Sequence, residues 1–370
     1  RGFSLSQAGD IFVDGLRDAP LFERDTFNHD RVEILKGSAS MLFGKGSTGG
    51  VVNQVSKQPF LMDQHEVNLT VGTGKEGRLT GDFNIKTGDD AALRLNAMLH
   101  SAENDGATVN KKGIAPTYRW GIGLKDEFSV GLYHLETDGT PLYNHPWFIV
   151  NNEIVPSLPA SNYYGLASDY NDSSATIAGL AHTHRFSRDS ELRTQVRVGQ
   201  FERDQRSGAI RLCSRGVNQQ TGAVTNPQCP SSNSLENFGP NTRLTRGNHL
   251  KIQDMDTAQF QSDYSGKFEA LGAKHELLAG VDFSREERTV YAARSRAQGG
   301  VDITKPTTLI GTPDDGAWVD ESSRVLRVNN QYTAQGWGAY VQDTVEVAPA
   351  WKVVAGLRYD KLTGDYDSFS

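Results

Sequence analysis

The chain has 370 residues, with 38 Lys and Arg against 45 Asp and Glu, a net charge of −7 and a pI near 5.8. That balance excludes a nucleic-acid binder built on a basic surface. A mean hydropathy of −0.51, with no apolar run approaching the ~18 residues of a spanning helix, excludes a helical membrane protein but not a transmembrane β-barrel, whose strands alternate lipid-facing and lumen-facing side chains.

Residues 1–60 read as a compact mixed segment. Ile11-Phe-Val-Asp-Gly15 predicts a short strand running into a turn, Val32-Glu-Ile-Leu-Lys-Gly37 a second strand, and Gly44-Lys-Gly-Ser-Thr-Gly-Gly50 a glycine-rich stretch leading into Val51-Val-Asn-Gln-Val-Ser56. Glycine tolerates positive φ and leaves room for a neighbouring chain. Sixty residues of this kind are marginal alone and need a surface to lean on.

From residue 64 onward the pattern changes to period-2 alternation. Leu93, Leu95, Ala97 and Leu99 alternate with Arg94, Asn96 and His100; Tyr118, Trp120, Ile122 and Leu124 follow with Arg119, Gly121 and Gly123 between them. Leu192, Val196 and Val198 alternate with Arg193, Gln195 and Arg197, and the pattern recurs at Leu277–Phe283 and Val353–Tyr359. These are two-faced strands, about eleven in all. Short turns are expected at 87–91, 125–127, 187–190, 270–274 and 347–350, and long polar connections at roughly 102–116, 137–174, 203–256 and 288–332. Alternation of short and long connections is the habit of outer-membrane barrels, with short periplasmic turns and long outer loops.

The motifs of residues 1–57 resemble one family. Arg1-Gly-Phe3, Val13-Asp-Gly-Leu-Arg-Asp18, Arg24-Asp25, Phe27-Asn28, Arg31-Val-Glu-Ile-Leu-Lys-Gly37 and Gly44–Lys57 resemble the second half of the plug domain in TonB-dependent siderophore receptors, with spacing most similar to receptors for catecholate ferric siderophores. Gly338-Ala-Tyr-Val-Gln-Asp343 and Gly356-Leu-Arg-Tyr359 resemble strand phrases of the same family. One departure is Ser38, where the family usually has proline. The resemblance implies an all-β chain: about half of a 22-stranded transmembrane antiparallel barrel over residues 61–370, with the C-terminal half of an α+β plug over residues 1–60. It further implies a fragment, without the segment that TonB grips, and a half-barrel whose two unpaired edges lipid does not tolerate.

The implied function is binding and import of a ferric siderophore at the cell outer membrane. The partners are the siderophore, TonB with ExbB and ExbD, and outer-membrane lipid. Iron arrives already chelated, so no protein metal or cofactor is required. Other cargoes on the same architecture (haem, cobalamin, a nickel chelate, an oligosaccharide) and a soluble all-β binding protein or adhesin are the alternatives. A ferric catecholate is an anion with an aromatic rim, which calls for Arg or Lys and for aromatic rings. The plug offers Gln7, Arg17, Phe22 and Arg24, and the 137–174 connection offers Tyr143, Trp147, Phe148, Tyr163 and Tyr164. Arg17 and Arg24 also have partners at hand in Asp18 and Asp25. By resemblance, Arg1 and Lys36 latch the plug to barrel glutamates.

Remaining motifs carry less. Gly72, Gly74 and Gly77 spell G-x-G-x-x-G between two strands with no helix following, which predicts a hairpin and no dinucleotide site. Gly37 to Lys45 echoes a Walker A loop with the wrong spacing. His182 and His184 could chelate a metal, but two ligands do not make a site, and a polar lumen wall is the simpler expectation. No catalytic constellation is present, so no enzyme is expected. Cys213 and Cys229 are either one loop-closing disulfide or a pair of free thiols.

Overall fold

The computed structural model describes residues 11–20, 22–37, 49–141, 145–218 and 220–369. Arg1, Gln7 and Tyr143 therefore lie outside the described residues, as does most of the Walker-like stretch.

The N-terminal segment holds β1 (Ile11–Val13), β2 (Leu16–Arg17), β3 (His29–Lys36) and β4 (Gly50–Ser56). They form one sheet in the order β2-β1-β4-β3, with β1 parallel to β4 and the other pairs antiparallel. Asp14 and Gly15 both take positive φ, 52° and 83°, the geometry of a tight hairpin turn that an Asp-Gly pair favours. Asp14 accepts from the Ser56 N–H at 2.8 Å, and Asn53 accepts from the Gly15 N–H at 3.0 Å. The Val-Asp-Gly motif thus stitches the first hairpin onto β4.

The strands that follow are β5 (Gln64–Gly72), β6 (Glu76–Lys86), β7 (Ala92–Asn104), β8 (Ala107–Trp120), β9 (Asp126–Asp138), β10 (Trp147–Val150), β11 (Glu153–Pro156), β12 (Tyr170–Ser187), β13 (Ser190–Leu212), β14 (Gly216–Val217), β15 (Val224–Thr225), β16 (Arg243–Ala270), β17 (Ala273–Ala293), β18 (Thr308–Leu309), β19 (Leu326–Ala348) and β20 (Trp351–Ser368). Eleven of them form one antiparallel sheet in the order β20-β19-β17-β16-β13-β12-β9-β8-β7-β6-β5, with β18 paired to β16 off that path. Among the described residues β5 and β20 are its edges, and no helix is long and apolar enough to cross a membrane. The plug sheet lies against one face of this sheet.

The five expected short turns are present. The Gly72–Gly77 stretch is the β5–β6 hairpin turn, with Gly74 at φ 74°. The long connections are shorter than expected. The 102–116 stretch is itself a hairpin: β7 runs to Asn104, Asp105 and Gly106 turn with φ 47° and 88°, and β8 starts at Ala107. β16 spans 28 residues and β13 spans 23, against ~9–11 needed to cross a bilayer. The strands continue well past the membrane, where both faces are polar and hydrophobic alternation no longer marks them.

Above the strands three loops pack on one another. Tyr164, Ile210, Leu244 and Ile310 form a buried cluster. Arg246 donates to Asp315 at 2.8 Å and to the Tyr164 carbonyl at 2.7 Å. Lys305 lies 3.2 Å from Glu321, which also takes Arg324 at 2.8 Å. Such buried charges hold only as a set, since removing one partner costs about 3–5 kcal/mol.

Cys213 and Cys229 are joined, with Cα atoms 5.6 Å apart and a sequence separation of 16. A loop of that length is stabilised by about 3 kcal/mol through restriction of the unfolded chain. Both thiols should resist alkylation until reductant is added. Reduction should then raise hydrogen exchange in the 213–242 loop while leaving the strands protected; free labelling without reductant would contradict the bridge.

Candidate functional site

The interface between plug and wall is built from the pleat. On β13 the residues Gln195 and Arg197 point into the lumen while Val196 and Val198 face outward and are exposed. Their register partners on β16 are Gln261 and Gln259. Arg197 donates to the plug carbonyls of Val13 at 3.0 Å, Leu16 at 3.3 Å and Arg17 at 2.5 Å, and its Nε donates to Gln259 at 2.9 Å. Gln259 in turn donates to the Arg17 carbonyl at 2.7 Å, and Gln195 to the Asp14 carbonyl at 3.3 Å. One guanidinium with two amides therefore satisfies four carbonyls of the first plug hairpin, those of Val13, Asp14, Leu16 and Arg17. The planar five-donor fork of arginine suits this better than lysine.

Further along, Arg94 and Arg119 donate to the carbonyls of Gln58 and Pro59 as the chain passes from plug to barrel. Lys57 pairs with Asp82 at 2.9 Å.

The 18–28 segment explains the Arg24-Asp25 motif. Arg24 closes the segment on itself, donating to Asp18 at 2.5 Å, to the Phe22 carbonyl at 3.0 Å and to the Ala19 carbonyl. Asp25 ties it to the wall, accepting both Nη groups of Arg78 on β6 at 2.6 and 2.9 Å. Two apolar anchors complete the seat. Phe22 packs on Phe201 with ring centroids 5.2 Å apart, among Ala19, Ala175 and Met255. Phe27 packs with Met98, Ala115 and Leu135 and stacks on Tyr133 at 5.6 Å. An added Cβ at Gly113 would come within 2.7 Å of the Phe27 ring.

Between plug and wall lies a cavity of about 160 Å³, lined by residues that include Asp18, Phe22, Arg24, Arg193 and Arg197. It is smaller than the ~300–1,000 Å³ of typical small-molecule sites, and two of its arginines are already engaged, Arg24 with Asp18 and Arg197 with plug carbonyls.

The expected ligand residues scatter. Phe22 is turned to the wall, and Arg24 is committed to the plug's own backbone and Asp18. The Arg17 guanidinium sits 5.8 Å over the Phe12 ring. Tyr163 and Tyr164, expected on a ligand-facing loop surface, are buried inside the loop core at 5% and 2% exposure. Tyr164 donates to the Ile310 carbonyl at 2.8 Å. Trp147 presents its ring to solvent on the β10–β11 hairpin, on the same face as the exposed Ile149 and Ile154, while Phe148 packs edge-on against Phe238. Lys36 ends β3 exposed. His182 and His184 are not on the lumen wall: Ala175 and Ile177 pack with Phe22 of the plug while Leu180 is exposed, so the even-numbered residues of β12 face outward. Arg197 and Arg78 escaped the sequence reading, although each stands on the polar face of an alternating strand.

Open antiparallel strands with a two-sided pleat, wrapped around a small sheet seated by polar contacts, define a plugged outer-membrane barrel. The TonB dependent receptor-like β-barrel family matches residues 67–370, and the TonB-dependent receptor plug domain matches residues 1–51. The chain belongs to the TonB-dependent receptor family, and its place is the cell outer membrane. It is 27% identical over 382 residues to the catecholate siderophore receptor Fiu of Escherichia coli strain K12, covering 100% of this chain and 47% of that relative. The crystal structure of Fiu in its open form superposes with a TM-score of 0.81 at 24% identity, covering 98% of this chain and 54% of that one. The siderophore receptor PiuA of Acinetobacter baumannii superposes at 0.82 and 22% identity, covering 98% and 51%. The chain thus spans about half the length of the curated relatives it matches. These relatives are receptors and transporters, not enzymes, and a soluble binding protein or adhesin is set aside.

The Asp25–Arg78 pair carries a pH dependence. Burial alone would raise the Asp25 carboxyl, but the Arg78 guanidinium outweighs it and holds the group below its usual value. A depressed folded pKa contributes stability that is present above the unfolded value, near ~3.9, and lost as pH falls through the folded one. Hydrogen exchange of residues 22–30 should therefore stay slow at neutral pH and accelerate only below about pH 4. In Arg78→Gln the buried carboxylate loses its partner, so these residues should lose protection at neutral pH, and the further loss on acidification should shrink or reverse; an unchanged profile would remove the pair from the plug's seat.

Proposed function

We propose that the receptor to which this chain belongs binds a ferric siderophore of the catecholate class from outside and imports it by TonB-driven rearrangement of the plug. The observation that supports this reading most directly is the joint match of plug and barrel to the TonB-dependent receptor family, with a catecholate siderophore receptor among the relatives. The interface has the chemistry such a step needs. The plug hairpin is held mainly by hydrogen bonds to wall side chains, and each is exchangeable for a bond to water, with a net worth of about 0.5–1.5 kcal/mol, or ~1.5–3 where a charge takes part. A plug seated this way can be pulled stepwise, whereas a wholly apolar seat would resist until broken at once.

Capture falls to the outer loops. The exposed ring of Trp147 on its hairpin, with Ile149 and Ile154 exposed on the same face, supports a stacking contact with a catechol ring. Tyr163 and Tyr164 support the loops from within. Arg24 shapes the plug apex, so reversing its charge would disturb the apex itself as well as any ligand beside it.

A strain lacking its own siderophore receptors, complemented with the intact gene, should regain uptake of radioiron from ferric catecholates, and equal uptake with and without the gene would overturn the reading. Trp147→Ala should weaken capture several-fold with loop exchange unchanged. Tyr164→Phe should loosen the loops, losing one buried hydrogen bond worth about 1 kcal/mol. If both variants merely loosen the loops, Trp147 is not a contact.

A further inference from the structure

His182 and His184 take no part in the plug interface, yet the fold brings them a third donor. In the β9–β12 register His184 stands opposite Asp126, and His182 stands opposite Phe128. The carboxylate is therefore directly across from one imidazole and diagonal to the other. Asp126 Oδ1 lies 2.6 Å from His184 Nδ1 and 3.0 Å from His182 Nε2. Among the described residues this is the single grouping of three His, Cys, Asp or Glu donors, all within 4.8 Å of one another.

The rings are held from behind. His182 is stacked on Phe128 at 4.3 Å with 10° between planes, and His184 meets the edge of Phe186 at 4.8 Å. Those aromatics continue on one side to Trp120 and Tyr118 and on the other to Tyr264. The band runs beside the short turns on the outward face, the position of an interfacial girdle. The three donors nevertheless reach water, with side chains 26% to 46% exposed.

We propose that Asp126, His182 and His184 form a binding site for a divalent transition-metal ion, with zinc the best-matched ion, on the outward face of the barrel at its short-turn rim. Two imidazole nitrogens and one carboxylate oxygen are a borderline donor set, and zinc takes such ligands at ~2.0–2.2 Å in four-coordinate geometry. Three protein donors leave one position for water. Donors around a tetrahedral ion at those bond lengths stand about 3.3–3.5 Å apart, so the two Asp126 contacts have to lengthen by less than about 1 Å, while the two imidazole nitrogens, within 4.8 Å of each other, settle to the same spacing. Copper and nickel would also bind on donor type, which makes the site selective for a class of ion rather than one element.

The test uses the intact receptor in detergent micelles with any purification tag removed, titrated with zinc alone by calorimetry and with cobalt alone by visible absorption. One saturable zinc per receptor is expected, together with the absorption bands of cobalt in a low-coordinate nitrogen and oxygen field. His182→Ala, His184→Ala and Asp126→Asn should each weaken zinc binding by at least about tenfold. Siderophore uptake should be unchanged in all three, because the site lies on the other side of the wall from the plug. Zinc binding that is absent in the parent, or equal in parent and triple variant, would overturn the site; a cobalt spectrum of fully hydrated ion would do the same.

Discussion

A chain crossing hydrocarbon must pair every backbone N–H and C=O within the protein, and in this fold it does so strand to strand. That constraint imposes a strict two-residue period on the wall, and the rest of the structure follows from it. Val196 and Val198 face out because Gln195 and Arg197 face in. A register slip of one residue would withdraw the guanidinium from three plug carbonyls and place it in lipid, at a cost of ~2–4 kcal/mol near the midplane. The plug's seat and the barrel's insertion are thus set by the same ladder.

Within that frame the two kinds of contact divide the work. Hydrogen bonds from Arg197, Gln259 and Gln195 orient the first hairpin, while Phe22 and Phe27 fix the 18–28 segment at two depths. The polar contacts are strong in place and cheap to exchange, whereas the apolar anchors resist displacement until their cavities open. Above the wall the loops follow a different rule. Their buried ion pairs, Arg246 with Asp315 and Lys305 with Glu321, make a rigid canopy in which tyrosines serve as packing.

Much of this was legible in the sequence, for identifiable reasons. The five short turns and the lipid-facing rows declared themselves because one face of each strand is apolar. Asp14-Gly15 announced its hairpin through residues that accept positive φ. The upper halves of β13 and β16 did not, because Arg203, Asp204 and Gln205, or Gln253 and Asp254, make both faces polar once the strand leaves the membrane. Asp105-Gly106 carried a turn signal that the surrounding polar composition masked. Tyr163 and Tyr164 could not be separated from Trp147 by composition, since their burial depends on Ile210, Leu244 and Ile310 from distant parts of the chain. The Asp126 carboxylate joined the two histidines only when the register between β9 and β12 was known.

The central claim is that the hairpin held by Arg197 and Gln259 must leave the wall for cargo to pass. The direct measurement is siderophore uptake by an intact receptor carrying cysteines in place of Arg17 and Gln259, with and without a short thiol crosslinker. The account predicts that crosslinked receptor still captures siderophore but imports none, while each single-cysteine control imports normally. Undiminished import through a fully crosslinked receptor would contradict it.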